Sequence, residues 1–596
     1  MKEGYSNWRK LDNAALAFPL VTGKNDTRVF RFYCELKENV KPELLQAALE
    51  KTMEKYPLFQ MVLRKGLFWF YLEHRDIRPI VKEEKKPPCS RLYIPDKKNL
   101  LFQVSYYEKR INFEVFHALT DGTGAMHFLQ ELVSNYLKKA HPKQDLPSLP
   151  VTDMSTPGDQ EEDSFSQYYS SDIPGNSEKK PRAVRLPGER LLHEDMHITE
   201  IVLPVKELHA KAKEYGVSIT ILITAMFLCS IHEEIPKSRQ NRPIALMVPV
   251  NLRNYFPSQS MANFFGWIEV GHDFSKTSDF TEILAHVKEQ FAAELVEEKI
   301  ARHMNSYVRL EKNPVIRAVP LEIKKYFLML GANLSSRSIT AVYSNIGILR
   351  FPKEYNQYID RFGIFASTNS MQLCSCSYEN EMVLGFTSKL PKDNIQRNFL
   401  NMLKKEEIPY TEKTNNFPGC SLKEKKEAQR IVQVFNFVCI AAAILCGMIN
   451  YLTREKLDWF WFAAAGCLCG WLIVAVAYAK RRNILKNEII QLILVTIIAV
   501  LWDKYTGWHG WSLDFVLPFG ALAVLGSIPV IVKVQKLEKE EYLFYLVQAA
   551  FAGLVPLILM FFHQIRFPYP SVVCTGISLL VFAGMFIFNS NDTIRE

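Results

Sequence analysis

Between Ile431 and Asn589 the chain is a succession of apolar runs separated by short charged islands, and no other feature restricts its folding as strongly. The hydrocarbon core of a bilayer takes a helix of about 20 apolar residues. Runs suited to that task lie at 431–452, 459–479, 489–502, 513–532, 542–562 and 571–589. Backbone polar groups in lipid need internal partners, so each run is expected to be helical, giving an all-α six-helix transmembrane domain over 431–589. The third run is the shortest and stops at Asp503, with Tyr505, Trp508 and Trp511 following as an interfacial belt. Pro518, Pro529 and Pro556 fall inside runs, which neighbouring helices tolerate by accepting the freed backbone groups. Counted over alternate loops and the two flanks, twelve cationic residues fall on one side and four on the other. The positive-inside tendency then places both termini of the chain in the cytosol, in a multi-pass protein of the cell membrane. No acid or base lies mid-run. The polar residues there are amides such as Asn436 and Gln548, so the run pattern offers an anchor, or an anchor that also holds a lipophilic substrate, rather than an ion-coupled pump.

Residues 1–430 have the opposite character and carry nearly all the charge runs. The net charge of +9 is no argument for nucleic acid, because several of the excess cations flank apolar runs. The opening MKEGYSNWRKLDNAALAF is polar and reads as no secretory signal, so the domain it begins is expected in the cytosol. Eleven cysteines include no C-x-x-C pair. Cys374/Cys376 and Cys467/Cys469 read as buried reduced thiols, and no metal site is expected. The stretch 138–195, rich in Pro, Ser and charge, reads as a linker between subdomains at 1–137 and 196–410, followed by a basic connector at 411–430 and a tail at 590–596. Helical patterns at 41–57, 205–216, 219–233 and 281–300 alternate with strand-like runs such as PIALMVPVNL (243–252), which predicts an α/β (α+β) architecture.

The chemistry concentrates in INFEVFHALTDGTGAMHFLQELVSNYL, residues 111–137. Ile111, Phe113, Val115 and His117 share one strand face, and Asn112, Glu114 and Phe116 share the other. The turn Thr120-Asp121-Gly122-Thr123-Gly124 ends the strand, and Met126, Leu129, Val133 and Leu137 begin a helical period. A histidine at the mouth of a buried sheet, next to a carboxylate and a glycine turn, suits proton transfer. His127 reads as a residue of the helix surface.

H-A-L-T-D-G at 117–122, followed over 100 residues later by V-P-V-N-L-R (248–253), resembles the chloramphenicol-acetyltransferase and condensation-domain superfamily, in its CoA-dependent alcohol acyltransferase branch. NWRKLDNAALAFP, MANFFGW (261–267) and YSNIG (343–347) fall in the order that the resemblance implies, and it covers residues 5–410. The apolar part is similar to an uncharacterised bacterial multi-span domain. The resemblance implies two similar subdomains with a tunnel between them, entered by acyl donor and acceptor from opposite faces. It further implies that His117 is the base, that Asp121 is structural with Arg253 as its partner, and that Gly122 leaves space beside the tunnel. Phe116 stands where the condensing branch has a second histidine, which favours acyl-CoA as co-substrate over carrier proteins. S-N-I-G stands roughly where the plant branch has D-F-G-W-G.

No G-x-S-x-G elbow is present, so direct transfer is expected, with no bound cofactor. Neutral imidazole takes the alcohol's proton as its oxygen attacks the thioester. Ser344 or Asn345 is the candidate donor to the oxyanion. The expected acceptor is a lipophilic or membrane-delivered alcohol, and the expected donor acetyl-CoA or another acyl-CoA. The alternatives are transfer to an extracytoplasmic polymer or lipid, and a non-catalytic membrane-anchored binding module.

Overall fold

The computed structural model describes residues 8–23, 25–95, 97–149, 162–173, 180–191, 195–413, 417, 422–453, 464–473, 484–535 and 539–590. The chain divides into two compact units, Met1–Cys420 and Ser421–Glu596.

The first unit is built on two main sheets. Five strands run in the order Ile359–Ala366, Val29–Leu36, Arg110–Phe116, Phe102–Tyr107 and Lys82–Glu83. Seven run in the order Phe265–His272, Ile244–Asn251, Ala341–Leu349, Met371–Tyr378, Glu381–Ser388, His197–Pro204 and Thr411–Lys413. A small three-stranded sheet pairs Trp8–Lys10 and Met61–Lys65 with Phe70–His74. The strand Arg110–Phe116 is buried on both faces. Ile111, Phe113 and Val115 join the apolar core, while Glu114 on the other face accepts from Arg31 Nε at 2.9 Å. Glu84 accepts from Arg31 (2.5 Å) and Arg110 (2.8 Å), so the charges on this face are paired inside the fold. A buried charge stripped of its partner is strongly destabilising, which explains why four such groups occur together. The helix Ile219–His232 is apolar nearly all round and buried in the core of the seven-stranded sheet. With Val205–Glu214 it is apolar enough for a bent membrane segment, but the two helices meet at 83° and serve this core instead.

Three expectations change. The first sheet takes its edge strand, Ile359–Ala366, from chain assigned above to the second subdomain, because that strand pairs antiparallel with Val29–Leu36. The 138–195 linker is in part core: the helix Gly122–Ala140 runs into it, and Phe165, Val184 and Leu186 are buried. Val184 is held on both sides, its N–H donating to Pro243 O and its carbonyl accepting from Thr340 Oγ1. The single helix expected at 281–300 is two, Phe280–Glu294 and Glu297–Lys312, divided where Val296 turns extended.

Among the described residues of the second unit four helices are long and apolar enough to cross a membrane: Ile484–Tyr505, Ser512–Lys533, Tyr542–Phe561 and Pro568–Met585. Shorter apolar stretches, Val434–Ile449 within the helix Leu422–Thr453 and Ala464–Ile473, correspond to the first two expected runs, and most of 459–479 lies outside the described residues. The six-helix count therefore rests on four full-length helices and two shorter stretches. The run read as short, 489–502, is a 22-residue helix. Its charged ends are satisfied by neighbours: Glu488 accepts from Ser527 Oγ at 2.6 Å, and Asp503 accepts from the backbone of His509, Gly510 and Ser512. Charge at a helix end stops a hydropathy run without stopping the helix.

Candidate active site

The site is assembled where the strand Arg110–Phe116 hands over to the helix Gly122–Ala140. Backbone pairing continues one residue past the strand, with His117 N–H donating to Arg28 O at 2.9 Å. Asp121 is the N-cap of the helix; its Oδ1 accepts from the N–H groups of Thr123 and Gly124 at 3.0 and 3.1 Å. Such a cap satisfies donors that the first helical turn leaves without partners. Its Oδ2 accepts from Arg253 Nη1 at 2.7 Å and from Phe264 N–H at 2.9 Å. Arg253 Nη2 donates to the carbonyls of Ser260 and Ala262, so one guanidinium ties the helix cap to the 260–264 loop. Burial works against the charged form of Asp121, but Arg253 and the backbone N–H groups outweigh it and hold the carboxyl below its ordinary range. The structure thus brings His117, Asp121, Gly122 and Arg253 together.

His117 is enclosed by aromatic rings. Phe18 stacks on it at 4.5 Å between centroids, with Phe30 at 4.9 Å and Phe265 at 5.3 Å. Burial pulls its pKa below the ordinary histidine value, although Asp121 and Asn263 oppose the change. Its Nδ1 lies 3.1 Å from Asn263 Oδ1. The same amide's Nδ2 donates to Asp12 Oδ2 at 3.2 Å. Because Asn263 directs its donor to Asp12, the atom it turns to His117 is an acceptor. His117 Nδ1 therefore carries the proton, and Nε2 keeps its lone pair. Asp12 also accepts from Ala15 N–H at 2.7 Å, and burial raises its pKa to about 7 against the opposing pull of Arg9.

Both Asp12 and Asn263 escaped the reading from sequence. They lie in NWRKLDNAALAFP and MANFFGW, which marked the order of motifs, but an Asx residue in a loop carries no local sign that it faces a histidine across the fold.

His117, Asp121, Gly122, Ser344 and Asn345 line one cavity of about 200 Å³, with Phe18, Phe30, Phe265 and Ile346 among its walls. Small-molecule pockets run roughly 300–1,000 Å³, so this one has room for the reacting ends of substrates. A bulge in the strand Ala341–Leu349 falls between Asn345 and Gly347, where Gly347 has φ +92°. That left-handed backbone favours glycine. The bulge carries Ile346 over Gly122: a Cβ at Gly122 would stand 2.7 Å from Ile346 Cδ1. Asn345 is occupied on both ends, donating to Thr220 Oγ1 (2.9 Å) and accepting from Gly347 N–H (3.0 Å). His127 is half-buried on the helix, and burial lowers its pKa.

Residues 204–352 match the family model of the phthiocerol/phthiodiolone dimycocerosyl transferase C-terminus. The matched segment contains Arg253, Ser344 and Asn345. The first unit is acyltransferase-like. The match supports an acyltransferase-type activity for the first unit and agrees with its two-sheet α/β fold. Residues 417–596 match a family of unknown function, DUF6320. Among solved structures, polyketide synthase associated protein 5 from Mycobacterium tuberculosis is 14% identical, with 66% of this chain and 96% of that one covered and a TM-score of 0.44. The first condensation domain of the calcium-dependent antibiotic synthetase is 12% identical (67% and 97% covered, TM-score 0.47). A trichothecene 15-O-acetyltransferase from Fusarium sporotrichioides is 11% identical (68% and 96% covered, TM-score 0.42). No curated protein matches the chain.

Proposed function

We propose that the protein moves an acyl group from acyl-CoA, acetyl-CoA being the simplest donor, to a hydroxyl of a lipophilic alcohol at the membrane, with His117 as general base. The observation that carries this reading is the Asp12–Asn263–His117 chain of hydrogen bonds, which leaves Nε2 unprotonated in a cavity. An alcohol gives up its proton at neutral pH only as its oxygen attacks, and a neutral imidazole within hydrogen-bond reach takes it. The depressed pKa of His117 keeps the ring neutral for that step. The new C–O bond forms while the thioester carbonyl oxygen becomes an oxyanion. Ser344 and Asn345 both line the cavity as candidate donors, and Asn345 already gives one of its two amide N–H groups to Thr220, which makes Ser344 the first to test. Collapse breaks the C–S bond, and the imidazolium returns its proton to the departing CoA thiolate. Asp121 and Arg253 take no proton; they hold the turn that presents His117.

The second unit, by this reading, crosses the membrane with both termini of the chain in the cytosol, where CoA thioesters are found. Its four full-length apolar helices support insertion, and the cation asymmetry supports the orientation.

The test uses the full chain in detergent with acetyl-CoA and longer acyl-CoAs against a panel of sterols, steroids and lipid alcohols, following free thiol and acylated product. His117→Ala is expected to reduce turnover by about 10²–10⁴-fold, the usual share of general base catalysis. Equal product from both proteins would remove His117 from the mechanism.

A further inference from the structure

The helix Leu321–Ser335 is the most anomalous surface of the first unit. Ile323, Phe327, Leu330 and Leu334 recur at helical spacing and are exposed by 53%, 70%, 57% and 51%. Tyr326 beside them is 73% exposed. An apolar stripe normally faces a core, and one turned outward marks a surface that something apolar covers. The stripe continues onto a hairpin tip. Leu67 is 71% exposed, its carbonyl accepts from Leu321 N–H at 2.8 Å, and Phe68 O accepts from Lys324 Nζ at 3.1 Å. Lys324 also lies 3.3 Å over the Trp69 ring, so helix and hairpin form one platform.

Charge indicates the occupant. Between residues 309 and 337 the chain has six Lys/Arg against two Asp/Glu, and Arg317 and Lys325 are exposed. Apolar side chains rimmed by cations suit the headgroup region of an anionic bilayer. Tethering adds to this, because the chain continues into a unit with four helices of membrane-crossing length and hydropathy.

We propose that the helix Leu321–Ser335 and the Leu67–Phe68 tip dock the first unit onto an anionic lipid surface, seating Phe327, Leu330 and Tyr326 among the acyl chains. The inference rests on the reading of the second unit as membrane-inserted. It bears on catalysis because this helix packs on the short helix Phe18–Val21, whose Phe18 stacks on His117. An acceptor dissolved in the bilayer would then meet the protein one element away from the base.

The experiment places the photoreactive residue p-benzoylphenylalanine at Phe327, at the exposed polar position Glu289, or at Phe551 within an apolar helix of the second unit. The full chain is reconstituted in phosphatidylglycerol/phosphatidylethanolamine vesicles, irradiated, and its adducts identified by mass spectrometry. Lipid adducts are expected at Phe551 and at Phe327, the latter at least about fivefold above Glu289, and reduced when phosphatidylcholine replaces the anionic lipid. Adducts at Phe551 with none at Phe327, or with protein cross-links there in their place, overturn the docking and leave the enzymatic reading standing. No lipid adduct at either position overturns both docking and membrane insertion.

Discussion

A single amide decides which nitrogen of His117 is basic. Asn263 accepts from His117 only because Asp12 occupies its amino group, so loss of either residue should free the ring to flip or change tautomer. Asn263→Ala and Asp12→Ala are each expected to lower kcat by roughly tenfold or more, a part of what a general base contributes. Acyl-CoA affinity should hold within about twofold, a split that steady-state kinetics resolves. The acid limb of kcat/KM should have its midpoint below 6.5, because burial lowers the His117 pKa and the neutral form persists to lower pH. Asp12 acts in the opposite sense on stability. Its pKa of about 7 lies above the 3.8 of an ordinary aspartate, so the folded state holds a proton that the unfolded state has released. The resulting stabilisation is complete below pH 3.8 and is lost as pH rises towards 7. Asp12→Asn should flatten that part of the dependence of Tm on pH.

At the scale of elements, the cavity depends on one irregular strand. The bulge at Asn345–Gly347 turns Ile346 towards Gly122, so the helix start and the strand meet across the reacting space. Gly122→Ala brings a methyl to within 2.7 Å of Ile346 Cδ1. The expected result is about a tenfold loss of kcat/KM, recovered in large part by adding Ile346→Val, since trimming that side chain returns the space. The two oxyanion candidates should separate as well. Ser344→Ala is expected to lower kcat by about 10²-fold with little change in Tm, the size of effect seen when one such donor is lost. Asn345→Ala should instead lower Tm, because it unties Thr220 and Gly347.

For the molecule as a whole, the charged first unit is followed by a unit of long apolar helices, and the outward apolar stripe of Leu321–Ser335 sits on the first of them. If docking supplies the acceptor, combining Tyr326→Ser, Phe327→Ser and Leu330→Ser should raise the KM for a long-chain alcohol in vesicles by about tenfold. The kinetics with a short, water-soluble alcohol should stay as they are, since none of these side chains lines the cavity.

Much of this was legible in residue order alone. Apolar run length foretold the apolar helices of the second unit, because an apolar run of about 20 residues satisfies its backbone most simply as a helix. The strand, turn and helix around 111–137 were legible for a similar reason: period-two and helical spacing, with a glycine-containing turn between them, are local instructions. Apart from the Asp121–Arg253 pair, which the resemblance implied, contacts between distant segments were not. Asp12 meets Asn263 across 251 positions and Asn263 meets His117 across 146, and the edge strand Ile359–Ala366 crosses into a sheet begun near residue 29. Sequence by itself determined most of the helices, strands and apolar runs and which histidine stood beside an acid and a glycine turn. Tertiary structure alone decided which nitrogen of that histidine is free, what closes over Gly122 and which apolar face is left outward, because each depends on the packing of side chains whose spacing along the chain carries no signal of their meeting.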